Sequence, residues 1–184
     1  MKYSRESLIK EWSENKANQR ILPFYSHRPT KKITSNCFSQ WYSCSFEVDG
    51  ITYYTAEQYM MAQKAKLFGD LETYEMILKA EDPKTYKALG RKAKGFDKEL
   101  WDAHKDEIVI RGNMAKFSQN PELKEFLLGT GDAILVEASP WDTIWGVWLG
   151  KTEPEVQDPS SWKGENRLGF ALMEVRDKLK ELSV

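Results

Sequence analysis

The sequence predicts an α+β fold: a single compact domain, helix-rich around a small β-sheet. Three observations predict it. Two short β-prone runs, Ser43–Val48 and Ile51–Tyr54, are joined by Asp49-Gly50, a dipeptide that supplies both positive-φ positions of a type I′ hairpin turn. One further apolar run, Ala133–Ala138 (AILVEA), has the length and composition of a buried strand. The rest carries helical periodicity punctuated by caps, Pro and Gly stops. At 184 residues the chain is long enough to bury a real core.

In chain order, Ser4–Ala17 reads as a short helix with Leu8, Ile9 and Trp12 as its apolar edge, so residues 1–20 are expected to form a helical extension and residues 21–184 the domain. Ile21–Tyr25 is a short strand, and Pro23 argues for an edge position. His27–Asn36 is a polar loop carrying Arg28, Lys31 and Lys32. In the hairpin, pairing Val48 with Ile51 and Phe46 with Tyr53 puts Phe46 and Val48 on one buried face.

The hairpin leads into Tyr53–Phe68, the stretch around which the chain is arranged. Thr55 is the expected N-cap, Gln58 three residues on completes a capping-box pattern, and Gly69 supplies the stop. Glu57, Met60, Met61 and Lys64 share one helical stripe. Glu57 and Lys64 are about 10 Å apart along the axis, wide enough to flank a small ring. A Met-rich stripe is ordinarily core, with Glu and Lys at its border facing solvent, and this segment alone does not choose between the readings.

Leu71–Lys79 and Pro83–Leu89 follow as helices. A long one is capped by Asp97, has Leu100, Trp101, Ile108 and Val109 as its stripe, and runs past Gly112 to Phe117. Pro121–Leu128 is a helix with Gly129 just beyond its end. Lys151–Lys163 is a loop, and Asn166–Leu182 closes the chain as an amphipathic helix with Leu168, Ala171, Leu172, Val175 and Leu179 inward.

Composition narrows the chemistry. The net charge of −1 offers no bulk field for nucleic acid or an anionic membrane. No apolar run approaches 18 residues and Met1–Arg20 has no signal-peptide core, so a cytoplasmic protein is expected. Cys37 and Cys44, with only two His, form no metal-ligand spacing, so no metal and no cofactor are expected. Nucleophile-elbow, P-loop and dinucleotide motifs are absent from the sequence. What remains is carboxylates beside aromatics. Glu137 lies in the strand run, where alternation can turn it outward. Asp142 stands among Trp141, Trp145 and Trp148, an arrangement shared by pockets and aromatic core corners. Arg91, and Asn113 with Lys116 on one helical face, are candidate phosphate and base contacts.

Thr55–Met61 (TAEQYMM), continuing through Ala62, Gln63, Lys64 and Ala65, resembles the NADAR family, the YbiA-like N-glycosidases. So do Ser35-Asn36 with Phe38, Leu89-Gly90-Arg91, Phe96-Asp97, Trp101, Asn113–Phe117, Thr130-Gly131-Asp132, Leu135–Pro140 (LVEASP), Asp142 with Trp145-Gly146, and the closing Trp162, Gly164, Asn166 and Gly169. The likeness runs from about Phe24 to Leu179, and the EQYM and EASP blocks are its most specific parts. It implies an α+β domain that cuts N-glycosidic bonds. The family's substrates are phosphoribosylamino-pyrimidine intermediates of riboflavin synthesis, releasing ribose 5-phosphate, or ADP-ribose joined to guanine in nucleic acid. A binding module for ADP-ribose or a nucleotide is the non-catalytic alternative.

Under that likeness Glu57, Lys64 and Asp142 are the expected catalytic residues. Glu57 and Asp142 would serve the developing charges on C1′ and the departing nitrogen, and Lys64 could attack a ring-opened sugar as a Schiff-base nucleophile or merely orient Glu57. Asn36, Arg91, Trp101, Asn113, Lys116, Trp141, Trp145 and Asn166 are the expected substrate contacts, Arg91 for phosphate and Trp101, Trp141 and Trp145 for stacking. Three features depart from the family pattern. Residues Ser4–Arg20 lie outside it, and Trp148 stands where a Gly is expected; Arg167 is also atypical.

Overall fold

The computed structural model describes residues 1–15 and 20–182, and the chain divides into two units, residues 1–39 with 121–184 and residues 40–120. The expected small sheet is two separate two-stranded ladders, one in each unit.

In the first unit α1 (Arg5–Asn15) buries Leu8 and Trp12 as expected, while the expected end of this helix at Ala17 lies outside the described residues. β1 (Ile21–Phe24) runs parallel to β4 (Ile134–Glu137), with Ile21 opposite Ile134 and Phe24 opposite Glu137. Among the described residues this ladder has two strands, so β1 has an open edge, where Pro23 can sit without breaking a ladder. All four residues of β4 are buried, so Glu137 does not alternate outward. A 3₁₀ turn, Ser35–Phe38, delivers Phe38 between Phe24 and Phe126, with ring centroids at 5.4 and 5.5 Å. The helix α6 (Pro121–Gly129) includes Gly129, which was expected just beyond its end, and the left-handed residue that follows it is Gly131, φ 64°. In α7 (Arg167–Glu181) the five expected apolar positions are all buried. A Cβ at Gly169 would collide with the Leu135 carbonyl, so only Gly lets α7 lie this close to β4.

In the second unit β2 (Phe46–Val48) and β3 (Ile51–Tyr53) pair in the expected register, and Asp49 and Gly50 take φ of 53° and 76°. Around them stand α2 (Ala56–Leu67), α3 (Leu71–Lys79), α4 (Pro83–Arg91) and α5 (Lys98–Gln119). The α2 helix is not a stripe with a solvent border. Ala56, Glu57, Gln58, Tyr59, Met60, Met61 and Ala62 are all buried, because α3, α4, α5 and the hairpin enclose it. It ends in a Schellman motif: the Gly69 N–H donates to the Lys66 carbonyl and the Asp70 N–H to that of Ala65, both at 3.0 Å. The long α5 does pass through Gly112, where a Cβ would strike the Tyr59 ring. Its expected stripe is only partly inward. Leu100 is exposed, Trp101 and Ile108 are half-buried, and the buried positions are Lys105, Val109, Ile110, Asn113, Lys116 and Phe117.

Candidate functional site

The second unit gathers most of the expected chemistry on α2. Thr55, extended at φ −150°, accepts the Gln58 N–H on its Oγ1 at 3.0 Å. The Gln58 side chain reaches back one residue further than a capping box requires, accepting the Tyr54 N–H at 2.8 Å. This cap fixes Glu57 at the second helical position, where unpaired N–H groups favour negative charge. Glu57 is 4% exposed, and its own N–H donates to the Gln40 carbonyl at 2.8 Å.

Two turns on, Lys64 is half-buried between aromatic rings, its Nζ 4.8 Å from the Phe96 centroid and 5.4 Å from that of Trp101. Burial lowers its pKa below the usual 10.5, the Arg91 guanidinium pushes the same way, and Glu57 opposes both. The structure therefore brings Glu57, Arg91 and Trp101 into the surroundings of Lys64. Phe96 was missed as a site residue. Its signal was an aromatic residue directly before the Asp97 cap, which reads equally as helix entry.

On the buried face of α5, both Asn113 amide hydrogens are used, donating to Gln40 Oε1 at 2.8 Å and to the Val109 carbonyl at 2.9 Å. Asn113 Oδ1 is buried and meets no partner among the described residues. Lys116, 0% exposed, stands 5.6 Å from the Tyr42 ring centroid and 5.2 Å from that of Phe117. Its charge opposes the upward push that burial gives the Cys44 thiol. Gln40 links the two helices, its backbone holding Glu57 and its side chain holding Asn113. No periodic signal marks it, because it lies in irregular chain between Phe38 and the hairpin.

The expected residues of the first unit are placed differently. The Asn36 amide donates to the Arg28 carbonyl at 2.8 Å and closes the basic loop. Asp142, half-buried, accepts the Ile144 and Trp145 N–H groups on Oδ1 at 2.9 and 2.8 Å, an Asx turn. Trp141 is 78% exposed, and Trp145 is half-buried. The Asn166 side chain is wholly buried: Oδ1 accepts the Glu137 N–H at 3.0 Å and the amide donates to the Leu135 carbonyl at 2.9 Å. Both bonds latch the side chain onto β4, and a left-handed φ of 55° aims it. Trp148 has φ 58°, a conformation that favours Gly, which explains why a Gly is the expected residue there.

The helix-rich α+β chain holds a buried carboxylate in the first turn of α2 and, two turns on, an amine of lowered pKa against aromatic rings, side chains of the kinds that enzymes use as acids, bases and nucleophiles. The NADAR domain family model matches residues 24–180, and the chain belongs to that family. It is 43% identical over 146 residues to an N-glycosidase of Acanthamoeba polyphaga mimivirus, covering 77% of this chain and 86% of the other. It is 35% identical over 159 residues to N-glycosidase YbiA of Escherichia coli, covering 86% and 88%. The NMR structure of E. coli YbiA superposes with a TM-score of 0.73 at 32% identity, over 90% of this chain and 88% of that one. Among the described residues no helix is long and apolar enough to cross a membrane, and no cluster of three metal-ligating side chains occurs.

Proposed function

We propose that the chain is an N-glycosidase that hydrolyses the bond between ribose 5-phosphate and an exocyclic pyrimidine nitrogen, the linkage of early riboflavin intermediates. The names of its relatives support the bond cleaved. The single observation that carries the mechanism is Lys64: an amine with a lowered pKa, half-buried between two rings, with Arg91 and Glu57 within electrostatic reach.

A ribosylamine opens to an imine when its ring oxygen takes the proton of the exocyclic nitrogen. The neutral Lys64 amine adds to C1′ of that imine. Both hydrogens leaving the lysine nitrogen pass to the pyrimidine nitrogen, with Glu57 carrying them, and the pyrimidine departs as its free amine. C1′ is then an imine on Lys64, and water hydrolyses it to the ribose 5-phosphate aldehyde and free Lys64. Arg91 suits the phosphate, because its fork binds two oxygens, and Trp101 and Phe96 offer flat walls for the base. Asp142, whose Oδ1 already holds two N–H groups, is left to shape its turn.

The test is mass spectrometry after borohydride reduction during turnover of the ribosylaminopyrimidine phosphate, with release of ribose 5-phosphate followed in parallel. The expected result is a sugar-phosphate increment on Lys64, lost together with activity in Lys64→Arg. Turnover without an adduct, in a Lys64→Arg protein that stays active, would replace this route by direct water attack assisted by Glu57. A parallel assay on ADP-ribosylated guanine, if it were much the faster, would reassign the substrate and keep the bond.

A further inference from the structure

Gln40 lies in irregular chain before the hairpin, and its carbonyl and both ends of its side-chain amide point into the second unit. The carbonyl accepts the Glu57 N–H at 2.8 Å, Oε1 accepts from Asn113 at 2.8 Å, and Nε2 meets the Met60 sulfur at 4.0 Å. One buried residue thus touches α2 with its backbone and α5 with its side chain.

The Glu57 N–H is one of the donors that a helix start leaves without a partner in its own helix. Thr55 serves the N–H of Gln58 from within the cap, whereas that of Glu57 is served by chain from outside α2. Where Gln40 sits therefore bears on where the Glu57 backbone sits. From that backbone the Glu57 side chain leaves toward the helix start, the direction every Cβ takes in a helix.

What holds Gln40 is α5. Asn113 bonds its side chain, and one turn on Lys116 Nζ stands 5.6 Å from the Tyr42 ring centroid, so α5 engages the segment 40–42 at two points. Asn113 is 0% exposed and gives its second amide hydrogen to the Val109 carbonyl of α5 at 2.9 Å, which leaves Gln40 as the group through which it can act on Glu57. Its Oδ1, buried without a partner among the described residues, is a cost that Leu, of nearly the same shape, would not carry. Such costs are tolerated where they serve function.

We propose that Gln40 is a positioning residue for the N-glycosidase reaction: braced by Asn113, it holds the first turn of α2 so that the Glu57 carboxylate keeps its place two turns from Lys64. This rests on the reading that Glu57 serves the reaction. Misplacing a reacting group by about 1 Å is worth on the order of a hundredfold in rate, so a brace remote from the bond cleaved can govern kcat.

The test is the double variant Gln40→Met/Asn113→Leu, which replaces both hydrogen-bonding partners by apolar groups of similar shape and so spares the fold. Thermal unfolding, exchange of the Glu57 amide hydrogen, and kcat and KM for release of ribose 5-phosphate from the ribosylaminopyrimidine phosphate are measured together. The Tm should stay close to that of the parent, the Glu57 amide should exchange about tenfold or more faster, and kcat should fall about tenfold or more with KM within about twofold. Introduced into Glu57→Gln, the same double change should lower kcat no further, because its effect passes through Glu57. The single Gln40→Met breaks the same bond with one change and should lower kcat in the same sense, which keeps the test open if the double variant folds poorly. Unchanged exchange of the Glu57 amide, unchanged kcat in a folded variant, a loss carried by KM alone, or a loss that multiplies with that of Glu57→Gln would each overturn the brace while Glu57 stays catalytic. Near-normal kcat in Glu57→Gln alone would overturn the catalytic reading of Glu57, and the proposal with it.

Discussion

The surroundings of α2 and the segment from β4 into α7 are both rich in polar side chains among aromatics, yet they use them oppositely. Between β4 and α7 two polar side chains bond backbone: Asn166 bonds Glu137 and Leu135, and Asp142 bonds Ile144 and Trp145. Around α2 the cap is closed by Thr55 and Gln58, Glu57 is buried behind it, and Lys64 stands half-buried between the Phe96 and Trp101 rings. A carboxylate or amide fully bonded to backbone holds a shape. An amine kept among rings has its protonation shifted, and so can do chemistry. Polar side chains thus shape the backbone in one region, while in the other an amine is held where its protonation is shifted.

The largest effect that separates the two regions is Glu57→Gln. The change is nearly isosteric, so kcat should fall by about 10²–10⁴-fold with the melting temperature nearly unchanged; a folded variant with near-normal kcat would make Glu57 architectural like Asn166. Lys64 adds a pH signature. Its folded pKa lies below 10.5, so the neutral amine, and with it the rate, should rise with pH through a limb below the ordinary lysine range. The sign for stability follows. Between the lowered folded pKa and 10.5 the unfolded chain binds more protons, so folding should strengthen as pH rises across that window. Lys64→Met should abolish turnover and flatten the stability dependence in denaturation profiles.

Asn166→Ala should show the reverse pattern. It leaves the Glu137 N–H and the Leu135 carbonyl unserved by a side chain and puts Ala at positive φ, a loss of about 2–4 kcal/mol in denaturant titration. The kcat of the molecules that remain folded should hold. Asp142→Asn is a finer probe, since the amide retains the Oδ1 acceptor. The turn should survive, with a rate change of less than about tenfold. A drop near a hundredfold with an unchanged melt would return Asp142 to the chemistry. The smallest effect is at Trp148, 42% exposed at φ 58°. Trp148→Gly should relieve left-handed strain and leave the protein between unchanged and about 1 kcal/mol more stable. A marked loss of stability would mean that the ring's packing outweighs the strain.

The sequence by itself determined the local structure, because caps, turns and stops act over four or five residues. Asp49-Gly50 set the hairpin register, Thr55 and Gly69 bounded α2, and the apolar spacing of α7 named its buried face. The EQYM and EASP blocks, which carry Glu57 and Glu137, were the most specific indication of the family. Tertiary structure decided everything that depends on which neighbour arrives. It enclosed α2 on most sides, so that Glu57 is buried where its own helix predicts a border. It set Phe96 and Arg91 beside Lys64 and lowered the pKa of that amine, and it threaded Gln40 between Glu57 and Asn113. It also turned Asn166 and Asp142 onto the backbone, which no residue count could foresee, since an amide or carboxylate bonds whatever donor the fold presents. Burial and partner choice are set by contacts between residues far apart in the chain, and those are absent from any local pattern.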